Sequence, residues 1–113
     1  MAGLIYKICH LEDWAAAGES FEGSAKDRED GFIHFSTAEQ LPGTLARYYA
    51  GAERLELIAV NADVLGEALR FEPSTGGALF PHLYAPMPRS AVAWTKTITK
   101  GADGVFVLPP EAI

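Results

Sequence analysis

The chain has 113 residues, 49% of them hydrophobic and 21% charged, which fits one domain over residues 1–113 and excludes wholesale disorder. Its formal net charge of −6 excludes a general nucleic-acid binder, because such a protein needs a basic face to displace counterions from phosphates. No apolar run approaches the length of a membrane span, and the start Met1-Ala2-Gly3-Leu4 lacks the basic flank and long apolar core of a signal peptide, so the expected location is cytoplasmic.

Residues 4–9 form a short apolar run rich in strand formers and end at His10. The single cysteine, Cys9, lies in this run. It has no partner for an internal disulfide and reads as a buried structural thiol in a reducing compartment. Residues 12–17 then predict a short helix anchored by Trp14 and stopped by Gly18. Residues 18–31 are polar and rich in Gly, Ser and Asp, which predicts a loop. Within it, Lys26-Asp27-Arg28-Glu29-Asp30 reads as a solvated face, and Asp30-Gly31 as a turn.

Phe32-Ile33-His34-Phe35 predicts a second strand. Ser36 and Glu39 stand three apart, the spacing of a capping box. The helix they open runs to about Ala50, with Leu41, Leu45 and Tyr48 turned to the core and Pro42 in the first turn. Residues 55–61 are the clearest strand. Their apolar character is nearly continuous, so both faces are expected to be covered and the strand to be central. Residues 63–66 predict a turn or short helix, and 69–72 a strand that places Arg70 and Glu72 on one face. Prolines bracket residues 80–84, which predicts an extended edge segment. Residues 92–99 alternate and predict another strand, and 105–108 a final one. About six strands with two helices in irregular order define an α+β class.

Histidine is the side chain suited to change protonation near neutral pH, to bind a metal, or to donate to a ligand hydroxyl. His10, His34 and His82 all lie at strand ends or beside loops, where functional groups gather, and are expected to share one site. His34-Phe35-Ser36-Thr37 is the sharpest motif, since a capped helix start after Ser36 would stabilise a phosphate or carboxylate. Glu72 is the candidate to orient a hydroxyl or act as a base, and Arg70 to hold an anion. Tyr84 is the candidate to stack on a ligand ring or donate its hydroxyl. Each also has a purely structural reading, such as a surface ion pair for Arg70 and Glu72 or a core ring for Tyr84.

The elements Asp30-Gly31-Phe32-Ile33-His34-Phe35-Ser36-Thr37, Gln40 and Phe80-Pro81-His82-Leu83-Tyr84 closely resemble those of the DUF952 family of small bacterial proteins, over a stretch from Tyr6 to about Val92. The family is similar in fold to the ADP-ribosyltransferases. The resemblance therefore implies a curved, split, antiparallel-rich β-sheet with two or three short helices around a dinucleotide cleft. It implies that His10 holds a ribose of NAD and that His34 and Ser36 lie near the nicotinamide. The catalytic glutamate of those transferases has no clear match, and Glu72 stands for it only by elimination.

Three functional readings fit the sequence. The first is a transferase or hydrolase that binds NAD or an ADP-ribose-like nucleotide, with His34, Glu72 and His82 at the chemistry and His10, Ser36, Arg70 and Tyr84 around the cofactor. The second is a noncatalytic domain that binds a small anion or metabolite. The third is a three-histidine metal site. Oligomeric state is not legible in the sequence.

Overall fold

The computed structural model describes residues 3–112. Strands β1 (Leu4–Cys9), β4 (Arg54–Asn61) and β8 (Val92–Thr99) form one antiparallel sheet in the order β1-β4-β8. Strands β3 (Ile33–His34), β6 (Leu79–Leu83) and β5 (Leu69–Pro73) form a second, in the order β3-β6-β5. A two-residue pair, β2 (Ser20–Phe21) with β7 (Met87–Pro88), lies apart from both. The helices are short: α1 (Leu11–Ala15), α2 (Ala25–Asp30), α3 (Leu41–Tyr48) and α4 (Ala62–Leu65). This is an α+β architecture of antiparallel sheets with a few short helices.

The two larger sheets meet at one point. Tyr6 and Ser36 exchange both backbone hydrogen bonds, each 2.8 Å, in an isolated antiparallel bridge. Beyond it the two backbones are not paired.

β4 is central, as its apolar run predicts. Its residues from Leu55 to Val60 are all buried. Leu55, Leu57 and Ala59 join Tyr6, Ile8, Leu41, Leu45 and Phe106 in one core cluster. Ile58 and Val60 join Ile5, Cys9, Ile33, Phe35 and Leu83 in the other. The strand therefore separates two apolar layers, and alternation supplies both from one segment.

Several sequence expectations are corrected. Residues 18–31 are not a plain loop, because they hold β2 and α2. The predicted Ser36–Glu39 box falls one residue early. Ser36 is still bridged to β1, so Thr37 precedes the turn of 3-10 helix over Ala38–Gln40, and the Gln40 side chain accepts from the Thr37 N–H at 3.0 Å. That tighter turn shifts the phase of α3. Leu41 and Leu45 are buried as expected, but Tyr48 is 60% exposed and Tyr49 turns inward instead.

Residues 80–84 do not lie at an edge, since β6 runs between β3 and β5. Pro81 is accommodated there because its carbonyl accepts from Phe35 N–H at 2.9 Å, while its missing donor falls on the same side, where β3 ends. The expected strand at 105–108 reduces to one bridge, Lys100 with Phe106. Among the described residues no helix is long and apolar enough to cross a membrane.

Leu57, fully buried in the central strand, sets a stability test. Leu57→Ala should cost about 2–5 kcal/mol in urea denaturation, whereas Val64→Ala, at a half-exposed position, should change stability by less than about 0.5 kcal/mol.

Candidate functional site

The site begins with a carboxylate. Asp27 lies in α2 and is 2% exposed. Ser24 caps this helix, and the reciprocal contact of a capping box joins the Asp27 side chain to the Ser24 N–H at 2.9 Å. The same carboxylate takes an ion pair from Lys7 of β1 at 2.7 Å. From β3 it accepts the backbone N–H of His34 at 3.1 Å and faces the His34 ring at Nδ1, 2.6 Å away. Lys7 is itself only 3% exposed. The run 26–30 is therefore not simply a solvated face, because its second residue is an interior hub.

Burial alone would push the Asp27 carboxyl up. The hydrogen bond with His34, the nearby Lys7 ammonium and the Ser24 N–H outweigh it and hold the group well below the ordinary carboxylate range. Gly23 makes room for the hub. It has φ of +100°, and a Cβ there would stand 2.7 Å from the Asp27 Cβ.

His34 and His82 are directly opposite one another in the β3–β6 ladder. Their rings are 5.5 Å apart and nearly perpendicular. Phe32 stacks on His82 at 4.2 Å. Each imidazole is oriented by carboxylates, but differently. His34 is hydrogen-bonded with Asp27 at Nδ1 and has Asp30 2.9 Å from Nε2. His82 is 5% exposed and meets Glu72 Oε1 through Nδ1 at 2.8 Å. Its Nε2 has no hydrogen-bond partner among the described residues. Because a carboxylate only accepts, the neutral His82 ring carries its proton on Nδ1 and presents a lone pair at Nε2.

A cleft of about 620 Å³ opens beside this pair. It is lined by His10, His34, His82 and Ser36 together with Lys7 and Asp27. The three histidines thus share one cavity. His10 is exposed, ends β1 and meets Tyr49 edge-on at 5.9 Å. Ser36 lines the cleft, but its hydroxyl is engaged with Thr44 Oγ1 at 3.0 Å and does not cap a helix.

Glu72, Arg70 and Tyr84 fall outside the lining. Glu72 Oε1 accepts from the Tyr84 hydroxyl at 2.7 Å as well as facing His82. The hydroxyl and then the imidazole hold its carboxyl below the usual range, and the same contact raises the Tyr84 phenol. Arg70 lies over the Tyr84 ring at 5.1 Å. These three therefore support His82 from behind. Among the described residues no group of three or more His, Cys, Asp or Glu side chains is placed to hold a metal ion.

Sequence reasoning missed Lys7, Asp27 and Tyr49. Ser24-x-x-Asp27 is a capping-box signature and could have placed the helix. Lys7 at the centre of an apolar strand is a buried charge in want of a partner. Tyr49 donates its hydroxyl to Ile8 O at 3.1 Å, and burial pushes its phenol up to about 12. Cys9 is buried as expected, with its thiol also pushed up to about 12 by burial.

Fold and site together define a small α+β protein with a histidine-lined cleft. A family model described as a protein of unknown function, DUF952, matches residues 8–95, and the chain belongs to that family. It is similar to the protein CC0527 from Caulobacter crescentus. The crystal structure of that protein has 47% identity and a TM-score of 0.90, covering 96% of this chain and 97% of that one. Its solution NMR structure has 49% identity and a TM-score of 0.80, covering 90% of each. No curated protein matches the chain.

Asp27→Asn should destabilise the protein by about 3–5 kcal/mol, because it strands the Lys7 charge in the interior. Combining it with Lys7→Met should recover part of that loss in a double-mutant cycle by urea denaturation. The acid limb gives a second check. Since the folded-state carboxyl of Asp27 lies below its unfolded value of about 3.9, its contribution is complete above that value and is lost as pH falls toward the depressed one. Stability of the parent protein should therefore fall below about pH 4, and the acid limb of Asp27→Asn should be shallower there.

Proposed function

We propose that the cleft binds the ribose and base of an NAD- or ADP-ribose-like ligand and that His82 acts on it. The observation that carries this reading is the state of the two paired histidines. His34 has both ring nitrogens engaged by carboxylates, whereas buried His82 is held at Nδ1 by Glu72 and keeps Nε2 unpartnered. A histidine locked by a carboxylate on one nitrogen and open on the other is the working form of a general base or hydroxyl acceptor. The cleft volume lies within the range of small-molecule sites.

In this reading the fold is of the ADP-ribosyltransferase kind, with two antiparallel sheets around the cleft. The reaction is a transfer or hydrolysis at the glycosidic carbon. The bond from ribose C1′ to the base nitrogen breaks and its electron pair leaves with the base. A bond forms from C1′ to the oxygen of water or of an acceptor hydroxyl, whose proton passes to His82 Nε2. His34, fixed between Asp27 and Asp30, shapes the wall, and His10 and Ser36 lie around the ribose. Glu72, with Arg70 and Tyr84, orients His82.

One observation favours a noncatalytic binding domain instead. Among the described residues no glutamate lines the cleft, so no carboxylate of the kind those transferases use reaches the ligand.

Calorimetry with NAD and ADP-ribose, and nicotinamide release from NAD, separate these readings. Saturable binding that His82→Ala weakens at least about tenfold, roughly 1.4 kcal/mol, is expected, with release lost in the same variant. Binding without release leaves the noncatalytic reading, and no binding of either ligand rejects both.

A further inference from the structure

The charges around the cleft narrow the ligand further, on the footing of the ribose-binding reading above. A phosphate group is ordinarily held by free Lys or Arg side chains. Among the described residues no arginine lines this cleft, and its cations are Lys7 and Lys26. Lys7 is 3% exposed and spent on Asp27 at 2.7 Å. Lys26 reaches Asp30 at 3.4 Å. Against these two stand three carboxylates, Asp13, Asp27 and Asp30. Asp13 is exposed on α1 and has no ion pair among the described residues. A proton on His34, which sits between Asp27 and Asp30, brings the lining only to balance.

His82 supplies an independent observation. It is 5% exposed and its unpartnered Nε2 offers a lone pair. A lone pair calls for a donor, such as a ribose hydroxyl or an amide N–H. A phosphate dianion offers none and would set its oxygens against that nitrogen. The half-buried rings of Tyr49 and Phe80 in the lining suit a flat base beside such a sugar.

We infer that this cleft selects a nucleoside with a neutral or positively charged base and discriminates against its phosphorylated forms. Any phosphate a ligand does carry projects away from the lining, and Asp13 at the rim is the residue that sets the discrimination.

The test is calorimetry at pH 8 with two matched pairs, nicotinamide riboside with its 5′-phosphate and adenosine with its 5′-phosphate. Each nucleoside should bind at least about tenfold more tightly than its phosphate. Asp13→Asn should narrow the gap, and Asp13→Lys should narrow it further by strengthening the phosphates; the residue is exposed, and circular dichroism checks that the fold is kept. Phosphates that bind as tightly as their nucleosides overturn the inference while leaving the ribose-binding reading intact. So does a gap that neither Asp13 variant moves. Failure of all four compounds to bind overturns both.

Discussion

The carboxylate of Asp27 is the constraint on which the rest of the structure turns. Taking a charge out of water costs several kcal/mol unless it is paired and hydrogen-bonded. Here Lys7, the His34 ring, the His34 N–H and the Ser24 N–H all meet it. These come from β1, from the start of α2 and from β3, so one group ties the first strand to two neighbouring segments that follow it about twenty residues later. Replacing such a hub by apolar groups is often no loss in stability. What it supplies is position, since only one arrangement of the three segments satisfies both Asp27 and Lys7.

That arrangement also explains why the cleft exists. β1 pairs with the segment just after β3 at Tyr6 and Ser36 and then stops. Had pairing continued, Ile8 would lie opposite His34. Instead Asp27 contacts both Lys7 and His34 and stands between the two elements. Ile8 then has no strand partner on that side for its carbonyl, and the Tyr49 hydroxyl satisfies it. A buried carbonyl without a partner would be costly, so Tyr49 is part of what lets the two sheets remain joined at a single point. The opening holds the imidazoles because β3 and β6 deliver them as a directly opposed pair at its wall.

The legible parts of the sequence were those governed by local periodicity. The run from Leu55 to Val60 announces burial on both faces, and β4 has it. The strand at 92–99 follows from alternation in the same way. The shared cavity of His10, His34 and His82 was also anticipated from their placement at strand ends. What escaped was set by partners far away in the chain. Asp27 looks solvated in a run of alternating charges, and only Lys7, twenty positions earlier, makes it an interior group. Ser36 and Thr37 are both fair helix caps by composition, and the bridge to Tyr6 decides between them. The prolines around β6 suggested an edge. Pro81 instead stands inside the sheet opposite Phe35, whose N–H its carbonyl accepts.

The same long-range pairing reorders the histidines. By motif alone His34 is the most prominent, since it precedes a helix start. In the fold its ring lines the cleft and has carboxylates at both nitrogens, Asp27 at 2.6 Å and Asp30 at 2.9 Å. His82, in a segment that reads as an extended edge, has one nitrogen held by Glu72 and the other unpartnered. A side chain that must act on a ligand needs both features, a fixed orientation and an open valence. Tyr84 and Arg70 add to the first by packing around Glu72. The carboxylates near the two rings therefore have opposite effects. Those around His34 stand at both of its ring nitrogens, while the one behind His82 fixes the ring at Nδ1 and leaves Nε2 open.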